Sequence, residues 1–219
     1  MTVAMDTMYI QLDTRGNNIE DVQLLPSGSA YSATMNAGVV PVYYNSLVWD
    51  IKTPNPESGD VLVIQLPMTY GAGSMLSIQV FYVTDPESKG ITWLYPNQTD
   101  GGVWPFVFTY SEDINARAIA PQQDTPANKI TYGACVTVDK RLRPYMSANI
   151  TGTYYAFYGY YKTCFYNQIP IPNYLMALVI GDLEYTSLGD NTGVLAEPSI
   201  MAAAVEEFSR LQAILDTTE

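Results

Sequence analysis

Trp93 to Pro126 reads WLYPNQTDGGVWPFVFTYSEDINARAIAPQQDTP, and its second half sets the frame for the rest. Arg117 and Asp124 stand seven residues apart around Ala118–Gln123. A planar guanidinium matches a carboxylate, so the spacing predicts a fixed ion pair across a loop. Asp124 precedes Thr125-Pro126, where it can cap local backbone while Pro126 stiffens the turn. Arg117, Asp124 and Pro126 are therefore expected to be structural residues. Outward from this block, Ile91–Leu94 reads as a short strand before it. Lys129–Val138 follows it as an alternating strand with Ile130, Tyr132, Ala134, Val136 and Val138 on one face.

The same grammar extends in both directions. Met8–Leu12 and Ile19–Leu24 flank Asp13-Thr14-Arg15-Gly16-Asn17 and predict a hairpin. Leu47–Ile51 ends at Pro54-Asn55-Pro56, and Val61–Leu66 and Met75–Val83 are apolar, β-branched runs. Tyr174–Ile180 is continuously apolar, as a strand covered on both faces would be. The period changes after Glu197-Pro198-Ser199, where Val205, Phe208, Leu211 (or Gln212) and Leu215 recur at helical spacing and Glu206 can pair with Arg210. The expected fold is all-β, a sandwich or saddle of mixed sheets built from short strands, over residues 1–196, with one C-terminal helix over 197–219.

Composition narrows function. The chain has 219 residues, net charge −12 and no histidine. Nucleic acid and anionic membrane surfaces need clustered cations, so neither is an expected partner. No histidine means no His-based nucleophile activation. Charged residues make up 15 %, against about 25 % in ordinary domains, and tyrosine occurs 18 times. Interfaces deplete Lys and Glu and enrich Tyr, which suggests coverage by a protein partner. Cys135 and Cys164 form no disulfide framework or short-spaced ligand pair and are expected as two free, partly buried thiols in a reducing compartment. No signal peptide and no run of 18 apolar residues is legible, which predicts an intracellular protein without a membrane span.

Three blocks carry a family resemblance. Ile91–Gly101, ITWLYPNQTDG, is similar to a "WLTPEQT" segment; Arg117–Pro126, RAIAPQQDTP, to "RAILPCQDTP"; and Ile169–Glu184, IPIPNYLMALVIGDLE, to "VPIPCYLIALVVGALE". Together they resemble the N-terminal domain of the zinc aminopeptidase family that includes leukotriene A4 hydrolase and aminopeptidase B. The resemblance implies that zinc is held by HExxH and a later glutamate on a separate catalytic domain. Neither HExxH nor any histidine occurs here, so no cofactor is expected of this chain, with zinc only where a catalytic domain is present. The resemblance also implies that Glu112, with Tyr110 beside it, occupies the loop that binds a substrate's free α-amine. The plain alternative for Glu112 is a solvated loop carboxylate. Gln122 stands where the family motif has cysteine.

The sequence departs from the family at Thr153–Tyr166, TYYAFYGYYKTCFY. Tyr154, Tyr155, Phe157, Tyr158, Tyr160 and Tyr161 crowd around Gly159, and a hairpin turning there would place aromatics on both faces. Such a hairpin is either an exposed interaction patch or packed between two sheets. Two functions follow as expectations. One is a non-catalytic, diverged domain acting as a structural or interaction subunit of a larger assembly. The other is the α-amine-recognising, substrate-side half of a zinc aminopeptidase or leukotriene A4 hydrolase-like enzyme.

Overall fold

A computed structural model describes residues 1–26 and 46–218; the predicted spans 1–196 and 197–219 therefore include residues 27–45 and Glu219, which lie outside the described set. Fourteen strands are described, and the ladders among the described residues are antiparallel rather than mixed.

β1 (Thr7–Thr14) and β2 (Asn17–Leu25) are joined at Gly16, which takes φ +63°. They do not form the expected hairpin. β1 pairs with β4 (Gly59–Tyr70), whose other side takes β3 (Val48–Asn55), while β2 pairs with β5 (Ser77–Thr84). The turn is a corner between two sheets. Its cause is the burial pattern: Ile10 and Leu12 on one strand, and Ile19 and Val22 on the next, bury into one core with Leu62, Ile64 and Leu66. A hairpin would hold the two strands in one layer, whereas a corner buries both apolar faces. Pro54 lies within β3, which tolerates it as an edge strand.

The second half holds β6 (Ile91–Leu94), β7 (Phe106–Thr109), β9 (Arg143–Met146) and β12 (Leu178–Gly181) in the order β6-β7-β12-β9. Tyr174–Ile180 is thus not one buried strand: Asn173–Leu175 is a 3-10 turn and Leu175 is exposed. The Asn173 amide instead reaches the Gln123 carbonyl at 2.8 Å, tying this turn to the Arg117–Asp124 loop. A third sheet has the order β10-β11-β8, from β8 (Lys129–Asp139), β10 (Asn149–Phe157) and β11 (Tyr160–Pro172). β8 shows the predicted alternation, with Tyr132 buried and Thr131, Gly133 and Cys135 outward.

Cys135 and Cys164 are directly opposite in the β8–β11 register and form a disulfide. This corrects the expectation of two free thiols and removes its support for a reducing compartment. The 29-residue spacing carries no sign of pairing; cross-strand register alone brings the two together. β13 (Glu184–Ser187) and β14 (Gly193–Ala196) form a small ribbon ahead of the C-terminal helical segment. That segment is two short helices, α1 (Met201–Glu207) and α2 (Leu211–Asp216). The break at Phe208–Arg210 puts Glu206 in α1 and Arg210 at the entry to α2, and among the described residues the two form no ion pair. Among the described residues, no helix is long and apolar enough to cross a membrane.

Candidate functional site

Arg117 and Asp124 meet as the sequence requires. Arg117 Nε donates to Asp124 Oδ2 at 3.0 Å and the Arg117 backbone N–H donates to the same oxygen at 3.1 Å. The guanidinium also donates to the carbonyls of Ser58 at 2.8 Å and Asp124 at 3.2 Å, and Asp13 Oδ1 lies 3.5 Å away. Both side chains are buried. Because Asp13 accepts from the Asp124 N–H at 2.9 Å, the loop is sewn to β1. Pro126 is exposed on the turn that follows. The cluster is a closed network, with its donors turned to protein rather than to a cleft.

Tyr110 and Glu112 stand on the loop leaving β7, and both are exposed. Beneath them the loop is pinned. Tyr110 N–H donates to Gly90 O at 3.0 Å, Asn115 N–H to Ser111 O at 2.8 Å, and Asn115 Nδ2 to Glu112 O at 3.1 Å. Arg15 donates to Asn115 Oδ1 at 3.0 Å, and Ser111 is buried. The Glu112 carboxylate takes part in no ion pair among the described residues. A buried, hydrogen-bonded base thus carries a solvent-facing carboxylate, an arrangement able to take an ammonium group.

The aromatic hairpin exists and turns where expected. Tyr158 (φ +39°) and Gly159 (φ +87°) form the two-residue loop between β10 and β11. Positive φ at both positions belongs to the turn whose twist matches a hairpin. Tyr155 and Tyr161 face each other across the ladder, edge to face at 5.9 Å, and Phe157 stacks on Tyr160 at 5.2 Å. All six predicted aromatics are exposed, Tyr158 to 94 %. Phe165, further along β11, is the one that turns into the core, fully buried. Among the described residues, no hydrogen bond or ring contact joins the hairpin aromatics to Tyr110 or Glu112, so the two are separate sites.

Sequence reasoning missed the groove beside the hairpin. A cavity of about 430 Å³ lies under the inner face of the β10-β11-β8 sheet, lined by Val138, Ile150, Thr153 and Tyr161 together with Lys140 and Arg143. The signal was present as charge segregation: Lys140 to Gly181 holds four of the ten cations and none of the 22 carboxylates. At its rim, Arg141 makes two hydrogen bonds to Asp139, at 2.7 and 2.8 Å, and lies 4.0 Å from the centre of the Trp104 ring. Those bonds from the Arg141 side chain, with its backbone N–H, hold the Asp139 carboxyl down at about 2. A larger cavity, about 830 Å³ between Val80 and Tyr82 on one side and Gln122 and Asn173 on the other, contains neither Glu112 nor any hairpin aromatic. Among the described residues, no cluster of acidic or Cys side chains could hold a metal.

With this geometry in view, comparison with known proteins places the scaffold. The chain is 33 % identical over 169 residues to leukotriene A-4 hydrolase of Xenopus laevis, covering 76 % of this chain and 28 % of that protein. It is 36 % identical over 156 residues to aminopeptidase B of Mus musculus, covering 71 % of this chain and 23 % of that protein. The chain thus spans about a quarter of the length of these curated relatives. Its fold matches native yeast LTA4 hydrolase with a TM-score of 0.75 at 24 % identity, over 96 % of this chain and 29 % of that one. It also matches the M1 zinc metallopeptidase of Deinococcus radiodurans with a TM-score of 0.61 at 20 % identity, over 87 % of this chain and 39 % of that one. Residues 1–175 match the family model of the peptidase M1 N-terminal domain, and the chain belongs to that family.

Proposed function

We propose that this chain is a non-catalytic interaction domain, an M1 N-terminal scaffold serving as a structural part of a larger protein assembly. The observation that carries the reading is the hairpin. Tyr154, Tyr155, Phe157 and Tyr158 are each more than half exposed, and Tyr160 and Tyr161 about 40 %. An aromatic side chain buries about 150–250 Å² when covered, and contiguous apolar patches of several hundred Å² mark interaction sites. The test is the mass of the native complex after gentle extraction, with each co-eluting chain identified. Tyr158→Ser with Tyr160→Ser is expected to release this chain from that complex. Retention of the double variant would defeat the reading.

A second reading has its own observation, the pinned loop that holds Glu112 outward. By family resemblance the domain is then the substrate-side half of a zinc aminopeptidase or leukotriene A4 hydrolase-like enzyme, with Glu112 receiving an α-amine and Tyr110 beside it. An exposed ion pair alone contributes about 0–1 kcal/mol, so a useful site needs a facing catalytic domain to exclude water. Glu112→Ala should abolish peptidase activity of a reconstituted complex under this reading and leave the assembly unaffected under the first.

A further inference from the structure

We infer that the outer edge of β10 and the adjoining Lys140–Arg143 groove together receive an acidic, extended segment of a partner polypeptide, added as a fourth strand to the β10-β11-β8 sheet. This deepens the hairpin reading and rests on it, naming the partner's chemistry and its mode of attachment.

The edge comes first. β10 ends its sheet, and among the described residues no strand pairs with its outer side. An unpaired edge carries a row of free donors and acceptors, which proteins blunt with charges, proline or bulges. β3, another edge, follows that practice with Asp50, Lys52 and Pro54. β10 reads NITGTYYAF over nine residues, with no charge and no proline. Its protection consists of two register irregularities against β11. The sequence is also rich in Thr, Tyr, Ile and Phe, which suit strand pairing. Such an edge is a template for strand addition.

The groove supplies the sign of the charge. Lys140 and Arg143 line it, no carboxylate does, and neither cation is in an ion pair among the described residues. Arg143 is steadied by its bond to the Lys140 carbonyl at 2.9 Å, which leaves further guanidinium donors for a ligand. Lys140 and Arg143 sit in a chain whose net charge is −12. Most of the molecule therefore repels an acidic segment, and this region is where it can land. Alternating side chains of an added strand would put one set beside Tyr154, Phe157 and Tyr160 and the other toward the groove, beside Tyr155 and Tyr161. That selects a partner in which Asp or Glu alternates with apolar residues. A second copy of this chain fits less well, because it would bring two uncharged edges together and offer Lys140 and Arg143 no carboxylate from β10.

The test uses the full chain and two fluorescent nonapeptides, one alternating Glu with Val and one alternating Lys with Val, read by anisotropy. The Glu peptide should bind, and its affinity should fall several-fold between low and physiological salt. Lys140→Gln with Arg143→Gln should weaken it about tenfold or more, while Arg143→Lys keeps most of the affinity. A ¹³C-labelled Glu peptide should shift its amide band to the strand position on binding, as side-chain capture alone would not. Equal binding of the Lys peptide, or unchanged affinity in the double Gln variant, overturns the inference. No peptide binding with hairpin-dependent self-association would assign the edge to a second copy, leaving the hairpin as an interaction surface. No peptide binding together with retention of Tyr158→Ser/Tyr160→Ser in the native complex would remove both readings.

Discussion

Asp124→Ala tests the reasoning about the loop that joins the two halves of the molecule. Arg117 and Asp124 have side-chain exposures of 10 % and 3 %. Removing Asp124 strands a guanidinium that keeps the Ser58 carbonyl and a more distant Asp13, but loses its close carboxylate. It also orphans the Arg117 N–H, which donates to the same oxygen. Breaking a buried pair on one side costs about 3–5 kcal/mol. In a chain of this size each kcal/mol shifts the midpoint by about 2–4 °C, so the variant should melt about 6–20 °C below the parent. The assay is urea and thermal unfolding of parent, Asp124→Ala, Arg117→Met and the double variant. The two single losses should not add, because each removes the same contact; a coupling of about 2 kcal/mol or more is expected. A single loss below about 1 kcal/mol, or strict additivity, would refute the claim that the pair is buried and mutually dependent.

Three further outcomes follow from the β8, β10 and β11 region. Replacing Cys135 and Cys164 by Ser should cost about 3–4 kcal/mol, the chain-entropy value for a loop near 29 residues; an unchanged urea midpoint, or two free thiols by mass in the unreduced protein, contradicts it. Asp139 has a folded value near 2 against an ordinary 3.8, so its contribution is present above the ordinary value and is lost as pH falls toward 2. A carboxyl resonance titrating near 2, moved up toward 3.8 by Arg141→Gln, is the check, and a midpoint near 3.8 in the parent opposes it. Tyr158→Asn should raise stability by about 0.5–1 kcal/mol, because an ordinary side chain at positive φ costs about 1–2 kcal/mol and Asn tolerates that region. A loss of stability on that change would mean that Tyr158 contributes contacts the isolated chain needs.

What the sequence revealed and what it hid divide along local and non-local lines. The turn at Gly159, the alternation of β8 and the Arg117–Asp124 pair rest on residues near one another in the chain, and each is found. The missed features all need partners far away. Asp13–Asn17 reads as a hairpin turn because its turn chemistry is sound, yet Ile10 and Val22 each find deeper burial against β4 than a shared ladder would give. Tyr174–Ile180 has the composition of a doubly covered strand, but the buried Asn173 fixes a 3-10 turn at its start and leaves Leu178–Gly181 as the strand. The cysteine pair is invisible without the β8–β11 register. The helix failed at one point: Phe208 and Leu211 sit at helical spacing, but both remain exposed, and without burial nothing holds a continuous helix through Phe208–Arg210.

The candidate site was legible in its residues and obscure in its meaning. Aromatic crowding around Gly159 identified the hairpin, while composition could not tell an outward patch from a layer between two sheets. The distinction comes from exposure: β10 is an edge, and all six aromatics around the turn are open to solvent among the described residues. Tyr158, at φ +39° with 94 % exposure, carries backbone strain and receives almost no burial in return. Asn or Asp with Gly would make the same turn at lower cost. A residue that works against its own fold, at the tip of a charge-free edge beside Lys140 and Arg143, which form no ion pair among the described residues, makes physical sense when its contacts lie on another molecule.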